Sequence, residues 1–189
     1  MRRLFFAISL PEDVQESVGE IQRRVRRGIS GMKWVDPERM HVTMKFLGNT
    51  PEALVDDVVA RGGCLAETCA PMELSLAGLG AFPGLVKPRV LWVGLGGDVE
   101  NLVALGEKLD RAMVDLHFEA ERRPFSAHVT LARSKPRYRP DSVEGLISKH
   151  SGLLVASFRA THLDLYESHL SRTGPTYVRL ATLPLAGHS

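Results

Sequence analysis

The sequence contains only two cysteines, Cys64 and Cys69, and neither has the partners of a disulfide framework or a metal site. It also lacks any apolar run near the ~18 residues that a membrane-spanning helix needs. Residues 4–10 are apolar and follow two arginines, as in a secretion signal, but the run stops at Pro11 without a small-residue cleavage site. We therefore expect a cytoplasmic protein with reduced thiols and no membrane contact.

Positive and negative charges nearly balance. The formal net charge is +2 and the sequence pI is about 8.7, which permits a polyanionic partner but does not require one. No cluster of carboxylates suits magnesium, and no glycine-rich phosphate loop is present. The sequence therefore predicts no bound metal and no cofactor. One helix carries four arginines, for which a solvated face is favoured over an RNA-docking stripe: Arg23, Arg24, Arg26 and Arg27.

Two His-x-Thr motifs stand out against this background. The first places His41 two residues before Thr43, and the second places His128 two residues before Thr130, each within an apolar run. Side chains alternate between the faces of a β-strand, so each strand presents an imidazole and a hydroxyl on one face and apolar residues on the other. By the same alternation Phe46 is expected on the apolar face. Two such strands can bring two imidazoles and two hydroxyls to one cleft.

The motifs belong to a longer internal repeat with an offset of 87 residues. The same offset aligns residues 4–8 with 91–95, apolar on apolar, and Leu74, Leu76 and Leu79 with Thr161, Leu163 and Tyr166. The pattern predicts a duplicated unit in which each half contributes one motif strand.

Helical and strand patterns alternate along the 189 residues. They predict helices over 11–27, 51–67, 98–116 and 141–150, with strands through both motifs and over 4–10, 33–35, 72–79, 89–95, 153–166 and 176–183. Residues 80–84 are expected to form a turn, and residues 133–139 a basic loop that includes Arg137 and Arg139. The expected class is α+β with antiparallel sheets, because many strands can pair as hairpin neighbours. No linker divides residues 1–189 into independent domains.

The chemistry of two His-Thr pairs suits a phosphodiester. A neutral imidazole accepts a proton and an imidazolium donates one near pH 7. Threonine hydroxyls can donate hydrogen bonds to the non-bridging oxygens as charge develops there. The remaining histidines have no common spacing and are expected at the surface without a metal: His117, His150, His162, His169 and His188.

The paired motifs resemble those of the two-histidine phosphoesterase superfamily, and within it the RNA 2′,3′-cyclic phosphodiesterases, also called 2′-5′ RNA ligases. The likeness covers nearly the whole chain, including residues 3–7, 34–35, 41–48, 80–83, 88–92 and 124–133. Ala127 departs from it, since that family often has proline directly before the second histidine. The resemblance implies two pseudo-symmetric lobes, each built round a small antiparallel sheet with helices outside, and a central cleft that holds both motifs.

The resemblance also implies residue roles. His41 would protonate the departing 3′ oxygen and His128 would activate water, so that a 2′,3′-cyclic phosphate gives a 2′-phosphate. A 5′-hydroxyl in place of water would give a 2′-5′ linkage. Thr43, Thr130 and Arg133 would bind the phosphate, although simple alternation turns Arg133 away unless a bulge intervenes. Phe5, Phe46 and Phe125 are candidates for base stacking, with packing in the core as the alternative for each.

The expected partners are RNA ends or nucleotide 2′,3′-cyclic phosphates, and a monomer without an obligate protein partner is expected. Two other functions stay open. One is a non-catalytic module that binds RNA ends, and the other is an enzyme for a small cyclic nucleotide or a cyclised ADP-ribose. Turnover of cyclic mononucleotides compared with RNA ends separates them.

Overall fold

The computed structural model describes residues 1–135, 138, 140, 142–150, 152–171 and 174–187. Its elements in chain order are β1 Arg2–Ser9, α1 Glu12–Arg26, β2 Met32–Trp34, β3 His41–Thr50, α2 Val55–Glu67, β4 Met72–Phe82, β5 Val90–Gly97, α3 Val99–Val114, β6 His128–Ser134, α4 Glu144–Lys149, β7 Leu154–Ala160, β8 His162–Ser171 and β9 Gly174–Pro184. No helix formed by these residues is long and apolar enough to cross a membrane.

The strands form one antiparallel sheet in the order β7-β4-β5-β6-β3-β1-β8-β9, with β2 paired to the end of β6. Its middle is a narrow seam, where β3 meets β6 through the single residue pair Val42 and Val129. Each of these valines is the central residue of a His-x-Thr motif. The seam therefore sets the two motifs side by side, and the predicted antiparallel α+β fold is confirmed.

The internal repeat is visible in the sheet, but its parts are exchanged. The 87-residue offset relates β1 to β5, β3 to β6 and β4 to β8. In space β4 pairs with β5, and β8 pairs with β1, so each side of the sheet takes a strand from the other half of the chain. For example, Ala7 of β1 pairs with Asp164 of β8, and the residues equivalent to them by the offset, Gly94 of β5 and Ala77 of β4, also pair with each other. Because the halves share strands, we expect residues 1–189 to unfold as one unit.

The helices cover the apolar face of the sheet. Val14, Val18, Ile21 and Val25 recur every three or four residues along α1 and are all buried. The buried face of α3 is formed by Leu102, Leu105, Leu109 and Met113. Full burial of one such side chain contributes about 1.5–3 kcal/mol. The opposite face of the sheet is left to the histidines and threonines of the motifs.

Two predictions of local structure were wrong. Residues 80–82 were expected in a turn, but β4 continues to Phe82, which pairs with Val90. A Cβ at Gly80 would lie 2.1 Å from the Trp92 ring, so this glycine admits a neighbouring side chain and does not mark a turn. The predicted strand over 153–166 is two strands separated at Thr161, since β7 pairs with β4 and β8 with β1.

The predicted basic loop over 133–139 is also revised. Arg133 lies within β6, where it pairs across the strands with Lys33 of β2 and with Val90 of β5. Arg137, Arg139 and His188, which the sequence placed in this loop or at the surface, lie outside the described residues.

Candidate active site

The seam opens onto a cleft of about 520 Å³. His41 and Thr43 line it from β3, and Thr130 and Arg133 line it from β6. His128 lies on β6 directly before the seam residue Val129, close enough for its charge to lower the pKa of His41. Four of the five residues that the sequence proposed for proton transfer and phosphate binding therefore line the cleft, and the fifth, His128, lies near His41.

Both imidazoles are held through the same ring nitrogen. The Nδ1–H of His41 donates to the carbonyl of Arg39 at 2.8 Å, and the Nδ1–H of His128 donates to the carbonyl of Ser126 at 2.7 Å. A carbonyl only accepts hydrogen bonds, so each contact fixes the proton of a neutral ring on Nδ1. Nε2 of each ring is then the atom that can take or give a proton.

Aromatic side chains surround each histidine. The ring centroid of Phe5 lies 4.9 Å from that of His41, and the ring centroid of Trp92 lies 6.3 Å from that of His128. Phe5 and Trp92 are related by the 87-residue offset, so each half supports its histidine with an equivalent ring. Edge contacts complete the surroundings, from Tyr177 to His41 at 5.4 Å and from Phe82 to His128 at 5.1 Å. Both rings are thus held in largely apolar surroundings.

These surroundings lower the pKa of both histidines. Burial is the main cause for His41, whose pKa falls to about 4 although the Arg39 carbonyl opposes the shift, and the charges of Arg133 and His128 lower it further. Burial and Arg133 likewise lower the pKa of His128, against the carbonyl of Ser126. Both rings are therefore mainly neutral at pH 7 in the free protein, and a bound anion would favour protonation.

A β-bulge follows each motif. The register between β1 and β3 skips Met44, and the register between β5 and β6 skips Leu131. One extra residue reverses the alternation beyond it. Phe46 was expected on the apolar face and instead lines the cleft, and Arg133 reaches the same cleft by the equivalent bulge. The bulge that would allow Arg133 to reach the phosphate is therefore present.

The first bulge also turns Lys45 into the protein. Its side chain is buried, and its Nζ donates to Asp110 Oδ1 at 2.5 Å and to the Glu119 carbonyl at 2.7 Å. The backbone N–H of Glu121 donates to the same carboxylate oxygen at 2.9 Å. Burial is the largest single influence and would raise the pKa of Asp110. The hydrogen bonds from Lys45 and the Glu121 N–H, together with the charges of Lys45 and Arg111, outweigh it, and the pKa is lowered. Lys45 thus ties the bulged strand to α3 next to Phe46.

The three aromatic candidates for base stacking have different positions. Phe46 lines the cleft and is 51% exposed, so its face is available. Phe5 is only 1% exposed and packs beneath His41, which corrects its assignment as a stacking residue. Phe125 was also misassigned, because it packs against Gly106 of α3 and lines a separate surface hollow with residues of that helix. Phe46 is the candidate that the geometry retains.

Other residues of the cleft had no role assigned from the sequence. Tyr177 of β9 stands at the wall beside His41, and burial raises the pKa of its hydroxyl. Lys33 and Arg39 lie at the same cleft, on and just beyond β2. Tyr177 comes 136 residues after His41 in the sequence, and no local pattern connects them. Within the described residues, no group of three or more His, Cys, Asp or Glu side chains is arranged to hold a metal ion.

The sequence matches the family model for LigT-like phosphoesterases twice, over residues 8–92 and 95–177. Three curated relatives are each named RNA 2′,3′-cyclic phosphodiesterase. That of Thermus thermophilus is 36% identical over 194 residues, covering 98% of this chain and 91% of that protein. That of Archaeoglobus fulgidus is 33% identical, with 93% and 96% covered, and that of Methanocaldococcus jannaschii is 31% identical, with 93% and 96% covered.

Solved structures show the same fold. A protein of Thermus thermophilus superimposes with a TM-score of 0.81 at 32% identity, covering 99% of this chain and 100% of that one. Escherichia coli LigT, solved with 3′-AMP, has a TM-score of 0.78 at 24% identity, with 97% and 98% covered. The fold and the paired motifs define a phosphoesterase of the two-histidine type. The chain belongs to the LigT-like phosphoesterase family.

Proposed function

We propose that the protein hydrolyses RNA 2′,3′-cyclic phosphate ends to 2′-phosphates without a metal ion. The observation that carries the proposal is the seam at Val42 and Val129, which sets two Nδ1-anchored imidazoles beside one cleft with Thr43 and Thr130. The names of the curated relatives support the substrate class.

In the proposed step, Nε2 of His128 takes a proton from water as the water oxygen bonds to phosphorus. The bond from phosphorus to the 3′ oxygen breaks, and Nε2 of His41 gives its proton to that oxygen. An acid on the leaving oxygen and a base on the entering oxygen avoid unstable charged intermediates. Thr43, Thr130 and Arg133 stabilise the charge on the non-bridging oxygens.

The low pKa of His41 fits this role only when the substrate is bound. In the free protein few molecules carry a proton on His41, because burial and Arg133 disfavour the imidazolium. The negative charge of a cyclic phosphate favours that proton again. Once protonated, a group with a low pKa is a strong acid, which suits donation to an alkoxide leaving group.

A 5′-hydroxyl can replace water in the same step. The base then takes the proton of the hydroxyl, the 3′ oxygen leaves as before, and the product is a 2′-5′ phosphodiester. This ligation is part of the proposal and needs no further residue. The cytoplasmic location and the monomeric state stay predictions.

A turnover assay with adenosine 2′,3′-cyclic phosphate tests the proposal. His41→Ala and His128→Ala should each lower the rate by ~10²–10⁴-fold, since each removes a proton-transfer group. The wild type should keep its activity after exhaustive EDTA treatment, and thermal melting should show folded variants. Loss of activity with EDTA and rescue by one divalent ion would refute the mechanism, and a wild type without turnover on any cyclic phosphate would leave only a binding module.

A further inference from the structure

Two basic side chains of the cleft, Lys33 and Arg39, converge beside Gly174 of β9. An ideal Cβ placed on Gly174 would lie 3.3 Å from Arg39 Nη1 and 3.5 Å from Lys33 Nζ. Atoms at these distances from one point lie at most about 7 Å apart, a span that one phosphate bridges with hydrogen bonds of ~2.8 Å to two of its oxygens. Gly174, at a φ of 135°, leaves this place free of a side chain.

The basic pair is continuous with the phosphate site. Lys33 of β2 and Arg133 of β6 are direct partners across the strands, and both line the cleft. Like charges in this arrangement destabilise a sheet. Asp36 pairs with Arg39 at 3.1 Å, and among the described residues that line the cleft it is the acidic residue against three basic ones. These described residues therefore carry a net positive charge, which suits an anion with more than one negative charge.

We infer that Lys33 and Arg39 form a second phosphate subsite, which binds the phosphate on the 5′ side of the terminal nucleoside. The inference rests on the proposed function and narrows its substrate. The preferred substrate is an end with a cyclic phosphate at the histidines and a second phosphate one nucleoside away. A cyclic mononucleoside phosphate fills only the first position.

Three substrates test the subsite: adenosine 2′,3′-cyclic phosphate, the same compound with a 5′-phosphate, and the dinucleotide ApA ending in a 2′,3′-cyclic phosphate. For the wild type, kcat/KM should be at least about tenfold higher for the two compounds with a second phosphate. Lys33→Gln and Arg39→Gln should each reduce that ratio severalfold, mainly through KM. Arg24→Gln is the matched control, because Arg24 is an exposed arginine of α1 outside the cleft.

A gain from ApA alone assigns the subsite to the internal phosphodiester of RNA, and a gain from both compounds assigns it to any 5′-phosphate. A wild-type ratio near one would overturn the inference, as would an unchanged ratio in both cleft variants or an equal loss in Arg24→Gln. Titration calorimetry with adenosine 2′-phosphate and with ApA 2′-phosphate compares their affinities and so measures the contribution of the subsite without turnover. Tighter binding of the dinucleotide, lost in the two variants, supports the subsite even if the proposed hydrolysis fails.

Discussion

Phe46 and Arg133 occupy equivalent places in the two halves of the sheet, 87 residues apart, and each reaches the cleft through a β-bulge two residues before it. The backbone is nearly symmetric at this point and the side chains are not. One half presents an exposed aromatic face and the other a guanidinium group. If the proposed function holds, this difference orients the substrate in the cleft, with the nucleoside toward β3 and the phosphate toward β6.

That asymmetry predicts two separable defects. Phe46→Leu should raise KM severalfold with little change in kcat, because it removes a stacking surface that serves substrate and transition state alike. Arg133→Gln should lower kcat and kcat/KM together by ~10²-fold, because its charge is needed most where negative charge develops. Steady-state kinetics on a cyclic phosphate measure both, and the reverse pattern would contradict the assigned direction.

The pH dependence of kcat/KM should be a bell with its maximum below pH 6.5. The reaction needs one histidine protonated and one neutral, and burial lowers both pKa values in the free protein, that of His41 to about 4. Two histidines with the ordinary pKa of about 6.5 would place the bell near neutrality, and the lowered pKa values move it toward acid. The kcat profile should lie at higher pH, since the bound phosphate raises both pKa values. A kcat/KM maximum above pH 7 would contradict this account.

The lowered pKa of His41 should also make the stability of the folded protein depend on pH. His41 binds a proton below about pH 6.5 in the unfolded chain, but only below about pH 4 in the folded protein. The free energy of unfolding should therefore fall as the pH drops through this window, by up to about 3 kcal/mol from His41. Above pH 6.5 both states are neutral and the effect vanishes. Urea unfolding of the wild type and His41→Gln measures it, and equal pH slopes in the two proteins would exclude it.

Much of the site could be predicted from the sequence, because the positions of its residues follow from patterns along the chain. Strand alternation set His41 with Thr43, and the 87-residue offset pointed to the second pair. The sequence offered a bulge only as a condition for Arg133 and none for the first motif, because one extra residue in a strand leaves no mark in the hydrophobic pattern. Phe46 was therefore assigned to the wrong face. The exchange of β4 and β8 depends on which strands pair across the chain, which no local pattern specifies. Tyr177 was missed for the same reason.

The ion pair between Lys45 and Asp110 should stabilise the fold and hold the bulge beside Phe46 in place. Lys45→Met leaves the Glu119 carbonyl without its donor and Asp110 with only the Glu121 N–H. This should lower the free energy of unfolding by ~2 kcal/mol, less than for a fully buried pair because Asp110 is partly exposed. The bulge would loosen with it, so KM should also rise through Phe46. Chemical unfolding and kinetics measure the two effects. A stability change below about 0.5 kcal/mol would show that the ion pair does not secure the bulge.

In the proposed mechanism, His41 donates its proton to the 3′ oxygen of a cyclic phosphate. The most direct measurement is the product of complete hydrolysis of adenosine 2′,3′-cyclic phosphate, resolved by ³¹P NMR in the presence of EDTA. We expect the 2′-phosphate alone, with no 3′-phosphate at any stage of the reaction. A 3′-phosphate product, or a mixture of the two, would show that the leaving oxygen is not the one opposite His41.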